Sequence, residues 1–241
     1  MSEAPRSITR VVFDFDNTLF DTERRKHLFY EMAEMHGYLR SEAKAMYEDA
    51  RIQGEKIVIS LAGFLSLLQE RLQKDKIPFR STEVSALIRK MNHGHGLLPG
   101  ARNLLLQCQK EGFEMYLLSL GVKNWQEEKV EQAGIEPFFP SGHIVYTDRI
   151  DTGKEGAMKK LFGKKFLGEK TVLVNDKPDE TAELLRTFPE LIASVRREVQ
   201  DDRYEPSDFV ALEKTFPGRV FWAEQLEDLG YSLASLCRKP W

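Results

Sequence analysis

The chain has 241 residues, of which 41% are hydrophobic and 30% charged, with a formal net charge of −3. That length suffices for one large domain or for a core carrying a smaller insert. The slight acid excess argues against nucleic acid as the main partner, because phosphate-backbone binding shows a basic surplus.

The first ten residues contain no apolar signal region, and no stretch approaches the roughly 18 apolar residues that span a bilayer. The two cysteines, Cys108 and Cys237, lack metal-ligand spacing and are too few for a disulfide scaffold. The expectation is a cytoplasmic protein with no membrane partner. Basic runs at Arg24-Arg25-Lys26, Lys159-Lys160 and Lys164-Lys165 read as solvated helix faces or turns.

The first element is a strand over 8–15, centred on Val11, Val12 and Phe13. Its continuous apolar character predicts burial on both faces, as in a parallel sheet covered by helices. It ends in Asp14-Phe15-Asp16-Asn17-Thr18. Two carboxylates at the end of a buried strand are expensive to place and call for a reason. From 22 to 92 the apolar spacing turns helical, with helices expected over 22–36, 41–53, 57–73 and 81–91 and no strand. Ser41 and Ser81 stand where N-caps belong. Ile57, Leu61, Phe64, Leu65, Leu68 and Leu72 follow the stripe of an amphipathic helix packed in a bundle. Asn92-His93-Gly94-His95-Gly96 falls where this insert rejoins the rest, and reads as a hinge rather than a histidine metal pair.

Strand–helix alternation returns at Leu97. Pro99 and Gly100 open a helix reaching about 110, and 113–120 is a second buried strand. A helix over 125–132 follows, then a short strand near 143–146 and a helix over 154–162. The strand 171–174 ends at Asn175-Asp176, and a helix begins near Pro178. Further strands are expected at 192–195 and 219–222, with a closing helix at 224–229. The segment 200–217 reads as a surface excursion. Repeated β-α units predict a parallel sheet with right-handed crossovers.

In such sheets, sites form at the carboxyl ends of the strands. Asp14 and Asp16, Ser119, and Asp176 end three of them, and Lys154 stands just before a helix at the same edge. An acid pair, a hydroxyl, a lysine and a further acid make sense together around an anion and a metal. Asp14 is the expected nucleophile, forming an aspartyl-phosphate, and Asp16 the general acid and base. Asp14 and Asp176, with the backbone carbonyl of Asp16, would hold Mg²⁺, which favours one or two carboxylates and retained waters. Ser119 and Lys154 would donate to phosphoryl oxygens.

Asp14-Phe15-Asp16-Asn17-Thr18-Leu19 resembles the DxDxT signature of the haloacid dehalogenase (HAD) superfamily. Leu117-Leu118-Ser119-Leu120-Gly121 is similar to its second motif and Val172-Leu173-Val174-Asn175-Asp176 to its fourth. Lys154 matches the third, with Lys159 and Lys160 as competitors and the turn Thr152-Gly153-Lys154 favouring Lys154. The resemblance implies an α/β fold: a Rossmann-like parallel sheet core (1–20 and 93–241) with an inserted all-α helical cap (21–92). It implies a Mg²⁺-dependent phosphatase acting on a small phosphorylated metabolite, with Thr18 in the catalytic loop. Asn175 stands where the family commonly has Gly, and Lys177 where a small residue is frequent. Glu180, in preference to Asp179, is the expected second acid of the fourth motif, orienting metal-bound water. Arg25 is a candidate for meeting an anionic substrate from the cap. A phosphomutase and a catalytically silent binding protein remain alternatives on the same scaffold; a dehalogenase is disfavoured because it has no use for Asp16.

Overall fold

The computed structural model describes residues 8–149 and 153–237, the side chains of 234–237 excepted. Residues 1–7 and Thr152, on which two sequence expectations rest, lie outside the described residues.

Six parallel strands form the central sheet. In chain order they are β1 (Arg10–Asp14), β4 (Glu114–Leu120), β5 (Ile144–Thr147), β6 (Thr171–Asn175), β7 (Ile192–Arg196) and β8 (Val220–Ala223). Their spatial order is β5-β4-β1-β6-β7-β8, so the strand bearing the acid pair lies inside the sheet. Alternation along β1 builds two cores at once. Val11 and Phe13 face a cluster with α5 (Ala101–Lys110), α6 (Lys123–Ala133) and α10 (Leu226–Cys237). Val12 faces the other, with α7 (Gly153–Phe162), α8 (Pro178–Thr187) and α9 (Pro206–Thr215).

Register aligns the strand ends. Phe13 is opposite Leu117 of β4 and Val174 of β6, and Asp14 is opposite Leu118. Ser119 and Asp176 therefore emerge beside Asp14 at one sheet edge.

Between β1 and α5 stand α1 (Thr22–Glu34), α2 (Arg40–Arg51), a hairpin of β2 (Ile52–Gln53) and β3 (Lys56–Ile57), α3 (Leu61–Asp75) and α4 (Ser81–Asn92). They share a hydrophobic cluster around Phe29, Phe64, Leu68 and Leu72, with the Phe29 and Phe64 rings 4.8 Å apart. The hairpin corrects the expectation of a strandless insert. Ile57 belongs to β3 rather than to the helical stripe, and α3 starts later, where Ser60 accepts a bond from the Gly63 amide at 3.1 Å. The Ile57 amide donates to Asp148 O at 2.9 Å, so the hairpin is stitched to the loop beyond β5. Ser41 is not a cap: Leu39 holds that place, its amide bonded to Glu42 at 2.7 Å. Ser81 is the first helical residue, behind Arg80. The segment 200–217, expected as an excursion, contains α9, which buries Phe209 and Leu212.

The insert joins the core through two antiparallel crossings, with Phe20 bridged to Leu97 and the Asp21 amide donating to Gly96 O at 2.8 Å. Gly96 has φ +65°, and a Cβ there would lie 2.7 Å from Phe20 Cζ. Gly94, at φ +77°, has open space around it. Gly96→Ala is therefore expected to destabilise by roughly 2–3 kcal/mol and Gly94→Ala by about 1 kcal/mol. Chemical denaturation of the two variants checks this, and equal losses would contradict the ring contact.

Candidate active site

Asp14 is buried at the end of β1. Its Oδ2 accepts from Thr18 Oγ1 at 3.0 Å and its Oδ1 lies 2.8 Å from Lys154 Nζ. The intervening loop closes tightly: Asn17 takes φ +58°, its amide bonds Phe20 O at 2.8 Å, and the Phe20 amide returns to Phe15 O at 3.0 Å. Asn is among the few residues that enter the left-handed region readily, which suits it to this place. Thr18 thus orients Asp14. The hydroxyl that bonds Asp16 is instead that of Thr22, the first residue of α1.

Lys154, near the start of α7, also donates to Asn175 Oδ1 at 2.7 Å and Glu180 Oε2 at 2.5 Å. Burial alone would pull its ammonium down, but Asp14, Glu180 and Asp176 outweigh burial and hold it above the ordinary lysine range. Burial likewise tends to raise the Glu180 carboxyl, and Lys154 and Lys177 bring it to about 2. Lys159 pairs with Glu155 and Lys160 is exposed, so neither competes for this position. Asp179 bonds the Glu180 amide and the Tyr204 hydroxyl, while Glu180 faces Lys154.

Asp176 is pushed up to about 7, first by burial and then by the charge of Asp14. Its Oδ1 and the Oγ of Ser119 are buried without a hydrogen-bond partner. Two adjoining acids with an unpartnered oxygen form an environment that a divalent cation relieves. Among the described residues no three His, Cys, Asp or Glu side chains cluster as a metal cage. The donor set Asp14 and Asp176 nonetheless fits Mg²⁺, which needs only one or two carboxylates. Glu180 is engaged by Lys154 and Asn175.

Asp16 is half-buried and held by three donors. Thr22 Oγ1 and Lys129 Nζ bond its Oδ1, and Gln126 Nε2 reaches Oδ2 at 2.9 Å. Burial tends to raise this carboxyl, but Lys129, aided by the other donors, brings it to about 2. The Lys129 ammonium sits 5.2 and 5.1 Å from the Phe15 and Phe20 ring centroids. Gly121 makes room for the clamp, since a Cβ there would lie 2.5 Å from Gln126 Nε2.

Lys129, Gln126 and Thr22 had no signal in the sequence beyond their place on predicted helices. Asn175 did have one, as the residue replacing Gly, and its side chain joins Lys154, Glu180 and Thr181. A cavity of about 310 Å³ opens above Asp14, Asp16 and Asp176, walled by the insert, by Trp125 and by Gln200–Arg203. Arg25 lines it from α1. His93 and His95 are exposed at the return crossing.

Lys129→Met would leave Asp16 without its cation. The loss is expected to be about 2 kcal/mol, below the roughly 3–5 kcal/mol of a fully buried pair, because 28% of the Asp16 side chain stays accessible. Combined with Asp16→Asn, the two losses should fall short of their sum by about 1 kcal/mol. Urea denaturation of the four proteins measures this; strict additivity would contradict the clamp.

The sequence pattern of the haloacid dehalogenase-like hydrolases matches residues 8–188. The HAD-hydrolase YfnB of Bacillus subtilis (strain 168) is 22% identical over 191 residues, covering 69% of this chain and 74% of that protein. The crystal structure of YfnB bound to magnesium superposes with a TM-score of 0.57 at 18% identity, covering 94% and 99% of the two chains. A haloacid dehalogenase-like family hydrolase from Xanthomonas campestris gives 0.64 at 16% identity, covering 98% of this chain and 94% of that one. A Thermotoga maritima protein described as a β-phosphoglucomutase gives 0.58 at 15%, covering 95% and 99%. These structural likenesses establish a shared fold, and the match over 8–188, on the strands that carry Asp14, Ser119 and Asp176, makes the chain a member of the haloacid dehalogenase-like hydrolase family.

Proposed function

We propose that this hydrolase is a Mg²⁺-dependent phosphatase that cleaves a small phosphorylated metabolite through a phosphoryl group carried on Asp14. The observation that carries the reading is the buried grouping at one sheet edge: Asp14 and Asp176 side by side, with Asp176 Oδ1 and Ser119 Oγ unpartnered. Mg²⁺, held by Asp14, Asp176 and the Asp16 carbonyl, would neutralise charge between carboxylates and phosphate.

The residues divide the remaining work. Thr18 and Lys154 fix the two oxygens of Asp14, aiming one carboxylate at phosphorus. Lys154 and Ser119 donate to the phosphoryl oxygens, where transition-state charge collects. Glu180 and Asn175 hold the Lys154 ammonium in place. Asp16, kept ionised by Lys129, Thr22 and Gln126, is equipped as the base that activates water in the second half-reaction. Protonating a leaving oxygen requires Asp16 to gain a proton first.

The presence of Asp16 disfavours a dehalogenase, whose halide leaves without an acid. A phosphomutase keeps both acids, and the fold shared with the Thermotoga maritima protein supports it as the second reading. It differs in delivering the phosphoryl group to a second hydroxyl. A silent scaffold is disfavoured because Asn175, the departure from the family pattern, is bonded to Lys154. A cytoplasmic setting, supported by the scarcity of cysteine, goes with this reading.

Mg²⁺-dependent release of phosphate from an aryl phosphate is expected, and Asp14→Asn should abolish it; activity surviving that change would sink the nucleophile. Asp16→Asn should lower kcat/KM, which reports phosphoryl transfer to Asp14 and not the later attack of water, by about 10²–10⁴-fold on alkyl phosphates and much less on aryl phosphates, since a good leaving group needs little acid help. Equal losses on the two substrate types, measured by phosphate release, would remove Asp16 from the acid role.

A further inference from the structure

The cavity walls are charged, but most of those charges answer one another. Lys26 pairs with Glu23, Lys44 with Asp202, and Arg203 with Asp201. Arg25 differs. It is 6% exposed, lines the cavity, and makes no ion pair among the described residues. Its guanidinium lies 4.9 Å from the Phe20 ring centroid and 5.0 Å from that of Trp125. Among the described residues its one polar bond runs from Nη2 to the uncharged Gln132, and its Nε has no partner. A buried cation without a direct ion pair is unfavourable, and the more distant Asp16 and Glu128 carboxylates and stacking on two rings offset only part of that.

The same wall holds two more unanswered donors. Tyr30 and Tyr47 are buried on α1 and α2, line the cavity, and make no side-chain hydrogen bond among the described residues. Their rings are 5.7 Å apart, and Phe29 links Tyr47 at 5.6 Å to Trp125 at 6.4 Å. A guanidinium and two hydroxyls therefore line the cavity without a protein acceptor among the described residues beyond the Gln132 contact of Arg25.

The position of this wall indicates what it meets. Arg25 and Lys129 both lie against the Phe20 ring, and Lys129 bonds Asp16. Arg25 is thus on the acid–base side of the site, where the leaving group stands, rather than on the Lys154 side.

We infer that Arg25, with the Tyr47 hydroxyl on the same wall, holds a second anionic group on the leaving part of the substrate, which is a phosphomonoester whose alcohol bears a carboxylate or a second phosphoryl group. This rests on the phosphatase reading above. A planar guanidinium suits either group through paired N–H donors. The competing role for Arg25 is to pin the insert, because Gln132 also bonds Gly94 O at 2.8 Å.

The test uses the full chain with Mg²⁺ and three matched substrates: propyl phosphate, its analogue ending in a carboxylate, and the bisphosphate of propanediol. The wild-type protein is expected to favour at least one anionic substrate over propyl phosphate by about tenfold or more in kcat/KM, and the preferred arm identifies the group. Arg25→Met should bring that ratio to within about threefold of unity, and Arg25→Lys should restore part of it. Tyr47→Phe, which removes a single oxygen, should lower the ratio several-fold and serves if Arg25→Met does not fold. A pinning role would lower all three substrates together and leave the ratio unchanged, which overturns the inference, as does a wild-type ratio near unity. Absence of phosphate release from all three substrates and from an aryl phosphate would instead overturn the phosphatase reading itself, and the inference with it.

Discussion

Asp14 is buried at the end of β1, where burial pushes its carboxyl up, and the Lys154 ammonium 2.8 Å away is the largest influence offsetting that cost. That ammonium is itself buried and is held by Asn175 and Glu180 from the next strand and helix. Removing either end would strand the other as an unpaired charge, which is far costlier than the pair is beneficial. The contact thus ties β1, α7, β6 and α8 into one arrangement, and the alignment of Ser119 and Asp176 with Asp14 follows from sheet register. Asn175, which stands where the resemblance leads one to expect glycine, is built into this contact. The amide side chain occupies room that glycine would leave open, and it satisfies the lysine, the glutamate and Thr181 together.

The second acid stands under a different regime. Asp16 faces the cavity, and Lys129, Gln126 and Thr22 hold it from α6 and α1. Since α1 belongs to the insert and α6 to the core, the clamp spans the junction between them. Phe20 lies at the same junction, stacked by Lys129 and Arg25 and pressed against Gly96. The proposed chemistry of the leaving group and the seating of the insert therefore meet in one small cluster of side chains.

Much of this was legible in the sequence, for identifiable reasons. Strands buried on both faces appear as apolar runs, so β1, β4 and β6 stood out, and polar residues ending such runs mark a sheet edge. Lys154 could be told from Lys159 and Lys160 by its turn context. The β2–β3 hairpin was hidden because two-residue strands are too short to show alternation, and Ile57 fell in phase with the α3 stripe. Helix α9 was hidden by its own start: Pro206 suggests a loop, although Pro is well suited to a first helical turn. Lys129 and Gln126 look like any polar residues on a helix, and only the packing of α6 against the Asp14–Phe20 loop turns them inward.

The central claim is that Asp14 carries the phosphoryl group. Mass spectrometry of the protein quenched in acid during turnover of an aryl phosphate with Mg²⁺ tests it directly. A phosphoryl adduct on the peptide containing Asp14, absent in Asp14→Asn, is the predicted result. Steady phosphate release with no adduct on that peptide under rapid quench, or an adduct on another residue, would contradict it.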